Sequence, residues 1–323
     1  MRGLAALRRR LIPSLRRAVL LLPVSILLPL LLAETWVFVS WYRAQHAHMV
    51  DSNLEVARAG AANFDTFLAD VLRQELTLGN ILHRSGSPEL RKQVLAAAAA
   101  EYPSVVNLLW VAPSGRVILT ANARGAGPEP LKQPYFRKLL SGWDWAVSGV
   151  PARTPEDRPV FFVARAIRNR EGGLRGIVTA VIDPAKLGEV LAIDRPGGGA
   201  VLLVDDTGMV VYRYPEVTLS WAERLWFSNV PALRKVLEGQ EAVFTAVSPI
   251  DSRSRIFGAA PVSLARWAVA ASRPSEEALG PLARVLPQSA ILFAAAVALA
   301  LALAYGIGRL VRRPVQRLEA HAR

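Results

Sequence analysis

Two uninterrupted apolar blocks limit what this chain can fold into. The first, Ala18 to Ser40, reads AVLLLPVSILLPLLLAETWVFVS with Glu34 as its only charge, and the second, Leu286 to Ile307, carries none. Each reaches the roughly 20 residues that a helix needs to cross hydrocarbon. Transmembrane helices are therefore expected at 18–41 and 286–308. They leave a basic tail at 1–17, a long middle region at 42–285 and a short segment at 309–323. The net charge of +13, from 39 Lys and Arg against 26 Asp and Glu, collects at the edges of these blocks. Arg2, Arg8, Arg9, Arg10, Arg16 and Arg17 precede the first, and Arg309, Arg312, Arg313, Arg317 and Arg323, offset by Glu319, follow the second. The flanks thus hold +6 and +4, and everything between holds +3. By the positive-inside rule both termini are cytoplasmic and the middle is exported. The charge then marks membrane edges, and no nucleic-acid partner is expected. A cleaved signal peptide is the competing reading of the first block. Against it, no A-x-A site closes the run, and Trp36, Trp41 and Tyr42 form an aromatic belt at its outer end. With no cysteine, the exported region has no disulfide, no thiolate metal site and no thiol nucleophile.

After the first block, Val50, Leu54, Ala57, Ala61, Phe64, Leu68, Val71, Glu75, Leu78 and Leu82 recur in steps of four and three, apolar everywhere except Glu75. One long amphipathic helix follows from that spacing, its stripe packed either on its own domain or along a dimer seam. Beyond Ser85–Pro88 a second, Ala-rich helix runs to about Tyr102. The period then becomes extended. Val105 to Ala121 reads as a hairpin turning at Pro113-Ser114-Gly115, followed by a short helix at 133–140 and strands at 145–150, 159–167 and 174–183. This predicts a small antiparallel sheet with helices on one side. The pattern then starts again. Ala200 to Tyr214 is a second hairpin with Gly208 at its turn, followed by a helix at 231–237 and strands at 241–247, 255–262 and 267–272. The predicted fold is α+β: two PAS-like antiparallel-sheet modules along one long N-terminal helix, a distal one at about 88–195 and a membrane-proximal one at about 198–275. The glycine run Pro196–Gly199 separates them.

The runs LKQPYFRKLLSG, PVFFVARAI, GGLRGIVTAVIDPAKL and VLLVDDTGMVVYRYPE, set after a long exported helix and between two spans, together resemble the double Cache sensor domain over about residues 45–280. Arg312 to Glu319, RRPVQRLE, looks like the opening of a HAMP linker. The resemblance implies the input half of a bacterial transmembrane receptor in the inner membrane, with its sensor region periplasmic or extracellular. It implies a homodimer, and an output (histidine kinase, diguanylate cyclase or chemoreceptor) outside these residues. It further implies a ligand pocket in the distal module, around the aromatic pair Tyr135-Phe136. In the amino-acid-binding branch an arginine two positions before the pair grips the ligand carboxylate, and a later strand-end aspartate holds its ammonium. Asp183 matches the second role, whereas Gln133 stands in the first. Arg165 is the first substitute for the missing guanidinium, which forks onto a carboxylate as an amide cannot, with Arg153 and Lys132 behind it. Trp145 and Phe161 complete the candidate set. The expected partner is a small molecule, a carboxylate or an amino-acid-like compound.

No catalytic set, cofactor or metal is expected. Asp206-Thr207-Gly208 has the form of an aspartic-protease motif, but that chemistry needs a second carboxylate, and the matching turn Pro113-Ser114-Gly115 has no acid. A hairpin turn explains it more simply. His46, His48, His83 and His321 form no metal set, and Gly197–Gly199 lacks the lysine and hydroxyl of a phosphate loop. A structural envelope scaffold is the alternative to a receptor. It predicts helices through most of the exported region, which the glycine-turn hairpins oppose.

Overall fold

The computed structural model describes the backbone of residues 2–84, 87–122, 129–150, 152–153, 159–195, 197–278, 288–299, 301–303 and 305–306, and their side chains except at 2–24, 26–27 and 152–153. The chain divides into two units, one of His48–Ser275 and one of Met1–Ala47 with Glu276–Arg323. In the latter, among the described residues, no helix is long and apolar enough to cross a membrane. Much of both expected spans, namely the side chains of 18–24 and 26–27 and residues 286–287, 300, 304 and 307–308, lies outside the described residues. So does the HAMP-like run 312–319.

Helix α1 (Arg2–Arg84) enters the larger unit and is followed by α2 (Pro88–Glu101), which starts on Ser87, whose hydroxyl accepts the Leu90 N–H at 3.4 Å, with Pro88 at its first position. Strands β1 (Val105–Val111) and β2 (Val117–Thr120) form the predicted hairpin. Next come α3 (Pro134–Leu140), β3 (Trp145–Val147), β4 (Ala152–Arg153), β5 (Pro159–Arg168) and β6 (Leu174–Ile182). The sheet order is β2-β1-β6-β5-β3, all antiparallel, with β4 on β5. Strand β3 ends earlier than expected because the Ser148 hydroxyl takes the Phe162 N–H at 2.9 Å.

A short α4 (Gly188–Leu191) leads into the second module. There β7 (Ala200–Val204), β8 (Val210–Tyr214), α5 (Trp221–Arg224), α6 (Pro231–Leu237), β9 (Ala242–Val247), β10 (Ser254–Val262) and β11 (Trp267–Pro274) build a sheet of order β8-β7-β11-β10-β9. Helix α5 opens with a reciprocal capping box between Ser220 and Glu223. Apart from β4, both sheets follow one plan, with the hairpin at one edge and the later hairpin strands inside.

The predicted stripe of α1 is buried against its own chain: Ala57, Ala61, Phe64, Leu68, Val71, Glu75, Leu78 and Leu82 are all buried. They share a single core with one face of each sheet, including Phe161, Val178 and Ala180 of the first and Leu203, Trp267 and Val269 of the second. The expectation of helices on one side of the distal sheet is corrected here. Alternation gives each strand two apolar faces, and α3 covers the second face through Tyr135, Phe136 and Leu139 over Phe162, Ala164 and Val181. In the proximal module α6 covers the second face in the same way, with Leu233 and Val236 over Leu202, Phe257 and Ala270.

Candidate functional site

Strand alternation divides the distal candidate residues between the two sheet faces. Tyr135 and Phe136 lie under α3, where Tyr135 stacks on Phe162 with ring centroids 5.2 Å apart. Gln133 caps the start of α3, half-buried. Asp183 follows Ile182 in extended conformation, so it sits on the α3 face with Val181. It is buried, and its Oδ1 accepts the Ala185 N–H at 3.0 Å. Phe161 belongs to the core on the α1 face. Arg165, two strand pairs further along β5, points the same way, directly across from half-buried Trp145 on β3. Gln133, Tyr135, Phe136 and Asp183 therefore share one side, and Trp145, Phe161 and Arg165 share the other. Lys132 is exposed and pairs with Glu129 at 3.0 Å, and the Arg153 side chain lies outside the described residues.

Opposite Arg165 on the α1 face is a group that sequence reasoning did not place in the site. Glu75 is wholly buried, and its Oε1 accepts the Ala180 N–H of β6 at 2.9 Å, while Oε2 has no hydrogen-bond partner among the described residues. Burial raises its pKa well above the usual carboxylate range. The Ala180 N–H and the charge of Arg165 act against that shift without cancelling it. The signal was present in the sequence, since Glu75 is the one polar residue of the α1 stripe. On the α3 face burial pushes the pKa of the Tyr135 hydroxyl up, and the neighbouring Thr179 hydroxyl acts against that shift. Arg168 holds the end of α3 in place by donating to the Leu139 carbonyl at 3.0 Å and the Trp143 carbonyl at 3.4 Å.

The Asp-Thr-Gly turn has a structural use. Buried Asp205, not Asp206, organises it. Asp205 Oδ1 accepts the N–H groups of Thr207 and Met209, each at 2.9 Å, and the Thr207 hydroxyl at 2.7 Å. Oδ2 accepts the Val150 N–H of the distal module at 3.1 Å. Gly208 adopts φ +85°, and a Cβ there would lie 2.6 Å from the Ser228 backbone. The motif is thus a hairpin turn that also joins the two modules. Among the described residues no cluster of His, Asp or Glu could hold a metal ion.

Two antiparallel-sheet modules strung on one long helix define a tandem sensor domain. The chain belongs to the double Cache family, whose Cache-domain model matches residues 42–282. Solved structures share the fold at low identity. The extracellular domain of the putative histidine kinase rpHK1S-Z16 is 18% identical, with a TM-score of 0.56 over 73% of this chain and 97% of that one. The ligand-binding domain of the Pseudomonas aeruginosa PAO1 amino-acid chemoreceptor PctB, in complex with L-Gln, is 18% identical, with a TM-score of 0.54 over 75% and 98%. That of the Pseudomonas fluorescens chemoreceptor CtaA, in complex with L-isoleucine, is 15% identical, with a TM-score of 0.56 over 74% and 97%. No protein of curated function matches the chain.

Proposed function

We propose that this chain is the input half of a two-pass bacterial receptor whose distal module binds an amino acid or related small carboxylate. The observation that carries the reading is the double Cache fold hung on α1, a single helix that contains both the first apolar block and the stripe packed against both sheets. The membrane assignment draws support from large apolar side chains left exposed near both ends of the chain. Leu32, Trp36 and Val37 are 60%, 72% and 59% exposed, and Ile291 and Leu292 are 68% and 70% exposed. Such surface is expected where lipid covers it. The ligand class is supported by the amino acids bound to PctB and CtaA.

In this reading the ligand sits under α3, where Gln133 and Asp183 supply polar contacts beside Tyr135 and Phe136. Arg165, with Trp145 and Phe161, acts from the opposite face, where it meets Glu75 of α1. Binding that favours one packing of the sheet on α1 then biases the second span and an output beyond it, within a homodimer. The energy available is the ligand's differential affinity for the two packings.

The test is a thermal-shift screen of the purified full chain against amino acids, mono- and dicarboxylates, amines and purines. A ligand at a hundred times its Kd stabilises by about 2.7 kcal/mol. The expected outcome is a saturable rise in Tm with one class, removed by Gln133→Ala and by Asp183→Asn. A flat response to every class would sink direct ligand sensing, and a shift untouched by both variants would move the site elsewhere.

A further inference from the structure

The proximal module repeats the distal plan, but the compartment between its sheet and its covering helices is furnished differently. In the distal module that compartment is lined by the aromatic side chains of Tyr135, Phe136 and Phe162. In the proximal module, strand alternation places Arg213 of β8, Ser272 of β11 and Arg255 of β10 on the same, helix-covered face as Leu202, Ala270 and Phe257. These three residues, with Ser248 and Trp226, line one cavity.

The two arginines differ in how they are partnered. Arg255 is buried and fully engaged. Its Nε donates to Asp251 at 3.1 Å, its Nη2 donates to the same carboxylate, and its Nη1 donates to the Gly198 carbonyl at 3.0 Å. Burial works against the charge of Asp251, but the Arg255 guanidinium and the nearby Ser248 hydroxyl outweigh it and hold its pKa at about 2. That carboxylate is committed to Arg255. Arg213 is half-buried, and among the described residues its one hydrogen-bond partner is the Pro215 carbonyl. Burial and the charge of Arg255 lower its pKa, and the charge of Asp251 acts against them without cancelling them. Glu223, also on the cavity wall, is already tied to Ser220 in the capping box. A partly desolvated guanidinium beside a second one, in ion-pair contact with no carboxylate among the described residues, is an unfavourable arrangement unless an anion completes it.

We propose that the proximal module contains a second binding site, for a small monovalent anion, in which Arg213 is the gripping group and Arg255, fixed by Asp251, is the positioning cation. The cavity encloses about 10 Å³, roughly the space one water needs. The anion is therefore a halide, or a carboxylate that enters by its oxygens and leaves its remainder at the mouth beside Trp226. Ser272, whose hydroxyl lies 3.5 Å from Arg255 Nη1, supplies a neutral donor. The site lies in a different module from the distal pocket and does not depend on it.

The test uses the purified full chain in sodium HEPES, a buffer free of carboxylate and halide, titrated calorimetrically with sodium acetate in one arm and sodium chloride in the other. Saturable binding is expected in at least one arm, and which arm responds identifies the anion as a carboxylate or a halide. Arg213→Gln should weaken binding at least about tenfold, the loss of one charged hydrogen-bonding group. Gln133→Ala, which alters the distal pocket, should leave the Arg213-dependent binding unchanged. Arg213→Lys keeps the charge but loses the fork, and should also weaken binding, which covers the case in which Arg213→Gln fails to fold. Absence of saturable binding in both arms, or full affinity in either Arg213 variant, overturns the proposal. Loss of binding in Gln133→Ala would assign the anion to the distal pocket instead.

Discussion

At the residue scale the strongest statement concerns Glu75. A wholly buried carboxyl with one hydrogen bond and a raised folded-state pKa binds its proton more tightly folded than unfolded. Its favourable contribution is complete below the unfolded value of about 4.3. It declines as pH rises through the interval up to the folded value, by about 1.4 kcal/mol for each unit of the shift. The wild-type Tm should therefore fall across the mildly acidic to alkaline range, and Glu75→Gln, neutral at every pH, should flatten that fall and stabilise the chain at its alkaline end. Melting both proteins from pH 5 to 9 decides it, and parallel curves would reject the assignment. Asp205 predicts the opposite kind of effect. Asp205→Ala strips the acceptor from three backbone N–H groups, one of them in the other module. A loss of about 1–3 kcal/mol is expected in urea unfolding. The sequence made Glu75 visible as a break in an apolar stripe, whereas at the hairpin turn it pointed to Asp206 and not to the Asp205 before it. Their partners were not visible. Which sheet face Arg165 or Asp183 occupies depends on strand starts and registers known only after folding, and a one-residue change reverses the face.

At the element scale α1 is the organiser, and its attachments run in sequence order along it. Asn53 Nδ2 donates to the Ile256 carbonyl at 2.7 Å, Asp65 accepts the N–H groups of Ser263 and Leu264, each at 2.8 Å, and Glu75 reaches Ala180. The earlier turns hold the proximal sheet and the later ones the distal sheet. The α1 backbone meets strand backbone at Gly258 of β10, where a Cβ would lie 2.5 Å from the Leu54 nitrogen and 2.7 Å from the Asn53 carbonyl carbon. Neither helix nor strand backbone can yield there cheaply, so Gly258→Ala should cost about 1–3 kcal/mol by overpacking, read as a lower urea midpoint with unchanged slope. An unchanged midpoint would mean that α1 does not seat on β10 as described. These elements were largely legible because each carries a local signal: a 3.6-residue stripe for α1, glycine turns for both hairpins, and Pro134 opening α3. The second helical layer was not. A strand buried on both faces reads as a continuous apolar run such as PVFFVARAI, and such a run does not tell how many layers cover it.

At the scale of the whole molecule the charge distribution and the fold make one joint demand. The Cache unit carries little net charge while the arginines flank the apolar blocks. If a ligand bias in the sheets is to leave the sensor, it must do so through α1 or through the segment after β11, because these are the two chain connections of the unit His48–Ser275. The proposed receptor topology further requires that the unit lie on the opposite side of a membrane from both termini. The chain has no cysteine, so one introduced thiol reports its own compartment without background. Ser114→Cys places it at the exposed β1–β2 turn, and Ala6→Cys places it among the arginines that precede the first block. With an impermeant maleimide on intact cells, the first variant should label fully and the second only after lysis, since the positive-inside rule retains the basic tail. Labelling of both before lysis would mean that the N-terminal block is exported or removed. Protection of Ser114→Cys until lysis would place the Cache unit in the cytoplasm and end the receptor topology, while leaving the fold, the module-joining turn at Asp205 and the paired arginines of the proximal module as they are.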